Sequence, residues 1–139
     1  TGNLDTNYEG KKDAAIKAFR EGKDFVYVHL EGPDECGHAG DIDGKILAEE
    51  RIDEYIVKPI YEYLAGTGED FRILVVPDHK TPIAVRTHTA VPVPYMLYDS
   101  RKLDKINDDN AFNEEAGQKG PMFESGNALA EYFFRKGDR

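Results

Sequence analysis

Two apolar runs constrain this chain more than any other feature: Phe25-Val26-Tyr27-Val28-His29-Leu30 and Phe71-Arg72-Ile73-Leu74-Val75-Val76. Both are nearly continuous rather than alternating, and both are short, bounded by turn residues. That pattern predicts strands buried on both faces, as in a parallel sheet covered by helices. Helical patterns surround them. Lys11–Glu21 places Ala14, Ile16 and Phe19 among polar residues and meets Gly22 as a stop. Ile42–Leu64 reads as a long helix with Asp41 or Asp43 as N-cap, and Pro59 inside it should kink or split it. Val93–Tyr98 is a third strand, whose proline suits an edge or a strand start. A short helix over 110–116 and a terminal one over 126–135 complete the order α-β-α-β-β-α. This order predicts the α/β class, a layered sheet flanked by helices.

The segments after the two runs carry the chemistry. Residues 31–40 read as a loop rich in turn residues, containing Pro33-Asp34-Glu35-Cys36-Gly37-His38, and the second run leads into Pro77-Asp78-His79. His88 follows in Arg86-Thr87-His88-Thr89. In open α/β sheets ligands collect beyond the carboxyl ends of strands. Asp34, His38, Asp78, His79 and His88 are therefore expected to converge there as metal ligands. Carboxylate oxygen with imidazole nitrogen suits Mn²⁺, Zn²⁺ or Fe²⁺ better than Ca²⁺. Five ligands exceed the needs of one tetrahedral ion, which points to two ions. His29, inside an apolar run, reads as a hydrogen-bonded core histidine. Cys36 reads as a small buried thiol, and Ser100 and Ser125 as turn or cap residues. On the long helix, Glu49 and Asp53 fall within the stripe Ile42, Ile46, Ile56, Ile60 and Leu64. They are expected to be buried and paired, at a cost if unpaired.

Charge narrows the function classes. The 139 residues include 18 Lys+Arg against 27 Asp+Glu, a net charge of −9, and no basic run long enough for a nucleic-acid footprint. An acidic protein acting on an anion needs a local positive charge, and a bound divalent cation supplies one. No apolar run approaches the ~20 residues needed to cross a bilayer, so no membrane partner is expected. The polar N-terminus does not read as a signal peptide, and the single cysteine fits a reducing, cytoplasmic compartment.

Asp5-Thr6-Asn7-Tyr8-Glu9-Gly10-Lys11, Phe25-Val26-Tyr27-Val28-His29, Pro33-Asp34-Glu35-Cys36-Gly37-His38, Pro77-Asp78-His79 and Thr87-His88-Thr89 together resemble the cofactor-independent phosphoglycerate mutases. The resemblance is to their archaeal-type branch, within the alkaline phosphatase superfamily. It implies an alkaline-phosphatase-like fold, here partial, and two divalent ions, usually Mn²⁺, with Zn²⁺ and Mg²⁺ as alternatives. It also implies Asp34, His38 and His88 on one ion, Asp78 and His79 on the other, and Lys11 near the phosphate of a phosphorylated small-molecule substrate. The implied reaction interconverts 3-phosphoglycerate and 2-phosphoglycerate through a phosphoserine. Family members are well over twice this length. Residues 1–139 are therefore expected to be the C-terminal portion of the phosphotransferase domain. The missing N-terminal half would supply the nucleophile and one more carboxylate ligand, and this portion alone would be inactive. Another phosphotransferase or phosphatase of the superfamily, or a noncatalytic metal-binding domain, is the alternative. Val91 and Lys80 depart from the family pattern, where Asn or Asp and Pro are usual.

Overall fold

A computed structural model of the chain describes residues 3–102 and 111–135. Two compact units emerge: Thr1–Gly68 with Lys80–Ala90, and Glu69–His79 with Val91–Arg139.

The first unit is helical. Helix α1 spans Tyr8–Arg20; the Asn7 side chain accepts from the Gly10 amide, and Lys17 and Arg20 sit in the last turn, where the helix dipole favours cations. Gly22, with φ 83°, turns the chain away. Helix α2 spans Gly32–Ala39, a segment expected to be a loop. Its glycines mask standard helix signals: Pro33 in the first turn, Asp34 and Glu35 beside it, and Gly40 closing the end in the left-handed conformation, φ 73°.

Helix α3 covers Ile42–Ile52 with Asp41 as N-cap, and α4 covers Lys58–Thr67. Between them lies a π-helical turn, Asp53–Val57, in which the Lys58 amide bonds to the Asp53 carbonyl. The predicted disturbance at Pro59 takes this form. A proline within a helix lacks an N–H and crowds the preceding turn, and the widened turn absorbs the misfit without breaking the rod.

The inward face of α3 is not the isoleucine stripe. Gly44, Ala48 and, after the bulge, Ile56 are buried, whereas Ile42 is 59 % and Ile46 52 % exposed. Glu49 and Asp53 are exposed, which corrects the expectation that both are buried. The reason is close approach between α2 and α3. A Cβ built on Gly32 would come 3.3 Å from the Ala48 Cβ, and one on Gly44 would come 3.1 Å from the Cys36 sulfur. Small residues let two helices meet nearly backbone to backbone, and a stripe of bulky residues does not mark such a face.

Residues 25–30 form no ladder, contrary to the predicted buried strand. Val26, Val28 and Leu30 are half-buried, but Phe25 is 52 % and Tyr27 73 % exposed. His29 is exposed too, so it is not a core histidine. Its ring stacks on Tyr27 and its Nε2 lies 3.4 Å from Glu31.

The second unit carries the sheet. Strands β1 (Arg72–Val75) and β2 (Met96–Asp99) pair antiparallel, with Arg72 opposite Asp99 and Val75 opposite Met96. The parallel arrangement expected from the apolar runs is absent among the described residues. Asp99 is buried and accepts from Arg72 Nε at 2.7 Å and Arg101 Nη2 at 2.7 Å. The hydrogen bonds from Arg101 above all, with those from Arg72, hold its carboxyl well below the usual carboxylate range, against the opposing effect of burial. Arg72 also donates to the Phe133 carbonyl at 2.7 Å, tying α6 (Gly126–Phe134) to the strand pair. Ser125 caps α6, as a cap reading of that serine implies, and Ser100 Oγ accepts from the Phe71 amide. The short helix α5 is Glu114–Gly117; the start expected at Asn110 lies outside the described residues.

Candidate metal centre

Helix α2 does the first part of the positioning. Asp34 and His38 stand four residues apart and so share one helix face. Asp34 lies in the first turn, where the helix dipole favours a carboxylate, and His38 lies in the last.

The segment 80–90 brings the third side chain. An isolated antiparallel bridge between Lys80 and Thr89 closes it, with the Thr89 amide donating to the Lys80 carbonyl at 3.0 Å. Inside the closed loop the Val85 and Arg86 amides both donate to the Pro82 carbonyl, at 3.0 and 2.8 Å. Arg86 then reverses the chain with φ 57°, the sole non-glycine at positive φ among the described residues. That conformation costs an L-residue about 1–2 kcal/mol, so the surrounding contacts must enforce it.

The outcome is a three-residue cluster. His38 Nε2 lies 3.1 Å from His88 Nε2 and 3.5 Å from Asp34 Oδ2, and His88 Nε2 lies 3.4 Å from Asp34 Oδ1. Ligand atoms of all three fall within 4.8 Å of one another. Donors that each stand about 2.0–2.2 Å from one ion are separated from each other by roughly 3.0–3.5 Å in octahedral or tetrahedral geometry. The observed spacings match such edges, so this donor set fits a divalent cation of the first transition row or zinc. Asp34 is half-buried and both histidines are exposed, which leaves the cluster open to an ion.

The surroundings fix these side chains from behind. Thr81 is 3 % exposed, and its hydroxyl donates to Asp34 Oδ1. The Thr81 carbonyl accepts from Lys45 Nζ at 2.9 Å. His38 Nδ1 lies 3.0 Å from the Arg86 carbonyl oxygen. Sequence reasoning missed Thr81 and Arg86. A threonine or a backbone carbonyl carries no pattern of its own, and only the positive φ at Arg86 marks the position.

Asp78 and His79 belong to the second unit and follow β1. There, Asp78 Oδ1 accepts from the His79 amide at 3.0 Å, and His79 Nε2 lies 3.2 Å from Asp78 Oδ2. Lys11, on α1, donates to the His29 carbonyl at 3.0 Å and lines a cavity with Ala14, Ala15 and the 26–29 segment. Cys36 is buried, and burial pushes its thiol pKa up, which suits a packed neutral thiol rather than a thiolate ligand.

A family model described as the metalloenzyme superfamily matches residues 1–133. The 2,3-bisphosphoglycerate-independent phosphoglycerate mutase of Methanosarcina mazei is 52 % identical over 124 residues, covering 88 % of this chain and 30 % of that protein. The protein of the same name from Sulfolobus acidocaldarius is 39 % identical over 139 residues, covering 97 % of this chain and 32 % of that one. The solved structure of the PH0037 protein from Pyrococcus horikoshii matches with a TM-score of 0.65 and 28 % identity, over 86 % of this chain and 34 % of that one. The chain thus spans about 30 % of the length of the curated relatives it matches. No helix among the described residues is long and apolar enough to cross a membrane.

Proposed function

Because this chain belongs to the metalloenzyme superfamily, we propose that it is the metal-holding portion of a cofactor-independent phosphoglycerate mutase. The observation that carries the reading is the convergence of Asp34, His38 and His88, with donor spacings that suit one divalent ion. Asp78 and His79, adjacent after β1, are the protein ligands proposed for a second ion, and Mn²⁺ is the metal proposed for both. The names of the relatives support the choice of phosphoglycerate as substrate.

The residues have separate tasks. Asp34 supplies anionic oxygen that offsets the cation's charge, and His38 and His88 supply neutral nitrogen donors from two different segments. A divalent ion bound there supplies Lewis-acid stabilisation of charge on phosphoryl oxygens. Lys11 donates to the His29 carbonyl at the 26–29 segment, a position proposed to face the substrate phosphate. Ser125 caps α6 and Ser100 accepts from the Phe71 amide, so both serve the backbone. The nucleophilic serine is accordingly proposed to come from the larger remainder that the relatives possess.

The test is an assay of the complete protein with 3-phosphoglycerate and Mn²⁺. Formation of 2-phosphoglycerate, abolished by His88→Ala, is the expected result. Release of inorganic phosphate without isomerisation would replace the mutase reading with a phosphatase. Undiminished turnover in His88→Ala would remove the metal cluster from the mechanism.

A further inference from the structure

We propose that the closed loop Lys80–Ala90 is the positioning frame of the metal cluster: Thr81 orients the Asp34 carboxylate, and the Arg86 carbonyl selects the His38 tautomer. The inference rests on the reading of Asp34, His38 and His88 as ligands, and it concerns residues outside that donor set.

Hydrogen-bond chemistry fixes the tautomer. A carbonyl oxygen can only accept, so the 3.0 Å contact between His38 Nδ1 and the Arg86 oxygen requires the proton on Nδ1. Neutral His38 then carries its lone pair on Nε2, the atom 3.1 Å from His88 Nε2 and 3.5 Å from Asp34 Oδ2. Fixing one ring nitrogen frees the other for a metal. Arg86 reaches this position through its left-handed backbone, enforced from two sides. Its amide bonds to the Pro82 carbonyl at 2.8 Å, and its guanidinium packs on Gly40, where an added Cβ would come 2.6 Å from Nε.

Thr81 acts on the other α2 ligand. Its buried hydroxyl donates to Asp34 Oδ1, which turns the carboxylate plane toward both imidazoles. Thr81 is itself held: Lys45 Nζ donates to its carbonyl, and a Cβ on Gly37 would meet that carbonyl oxygen at 2.4 Å. One loop therefore braces both ligands of α2 from behind while presenting His88 as the third.

Two measurements on the full chain, labelled with ¹⁵N at histidine, test the frame. In the metal-free protein, His38 should show the shift pattern of an Nδ1–H tautomer. Arg86→Val, a β-branched residue unsuited to positive φ, should move it toward a tautomer mixture, whereas Arg86→Gly should preserve it. In titrations with Mn²⁺ and with Zn²⁺, Thr81→Val should weaken binding about 10–100-fold, the usual effect of losing such a partner. Thr81→Ser, which keeps the hydroxyl, should restore wild-type affinity. An Nε2–H pattern for His38 in the wild type, or Thr81→Val binding as tightly as the wild type, overturns the proposal. Failure of the wild type to bind either metal defeats the ligand reading instead, and the tautomer measurement still decides whether the loop positions His38. Should Thr81→Val not fold, the Arg86 pair carries the decision.

Discussion

At the scale of single residues, Asp99 carries a double ion pair with Arg72 and Arg101. Asp99 is buried between Arg72 and Arg101, and those two cations depress its pKa below the ordinary range. A carboxylate with a lowered folded-state pKa contributes stability at pH values above its unfolded pKa. That contribution is lost as pH falls toward the folded value. Denaturant titrations at pH 7 and pH 3 should therefore show a drop at acid pH that Asp99→Asn lacks. At pH 7 the substitution should cost about 3 kcal/mol, the lower end for breaking a buried pair, since Arg101 is partly exposed. Equal pH dependence in both proteins would contradict the assignment. His38 and His88 call for a different readout. Replacing either with Ala should cut affinity for Mn²⁺ or Zn²⁺ without a comparable loss of stability, because both rings are exposed.

At the scale of elements, two glycines test the packing in opposite directions. A Cβ at Gly37 would come 2.4 Å from the Thr81 carbonyl oxygen, whereas Gly66 in α4 has nothing within 4 Å. Gly37→Ala should lower stability by about 1–3 kcal/mol through overpacking, and should weaken metal binding by displacing the loop. Gly66→Ala should raise stability by roughly 0.5–1 kcal/mol, the helix-propensity difference. Thermal melts of the two variants check both signs. The same elements show what was legible in the sequence. Helix α1 was readable from its apolar spacing and stop glycine, though it starts at Tyr8 rather than Lys11 because Asn7 caps it, and the terminal helix was readable over nearly its whole length. The proposed ligands Asp34, His38 and His88 were readable as candidates because Asp and His cluster beside apolar runs. Helix α2 was hidden by three glycines that serve packing and the C-cap rather than turns. The inward face of α3 is not legible from hydrophobicity, because Gly44 and Ala48 have little hydrophobic weight yet permit the close approach to α2. Residues 25–30 have the composition of a two-sided strand, but a ladder needs a neighbouring strand, which a run of apolar letters cannot specify.

At the scale of the whole molecule, the helical unit holds the cluster of Asp34, His38 and His88, and the sheet unit holds Asp78 and His79. Both lie in a chain that spans about 30 % of the length of its curated relatives. With Ser100 and Ser125 serving the backbone, these 139 residues alone are expected to show no mutase activity with Mn²⁺. Formation of 2-phosphoglycerate by the isolated chain would reassign the nucleophile to one of those serines. The central claim is that Asp34, His38 and His88 hold one divalent ion. An anomalous difference map from crystals grown with Mn²⁺ or Zn²⁺ tests it most directly. The predicted result is a single strong peak about 2.0–2.2 Å from His38 Nε2, His88 Nε2 and an Asp34 carboxylate oxygen. A map at saturating metal with no peak among these three side chains would contradict it.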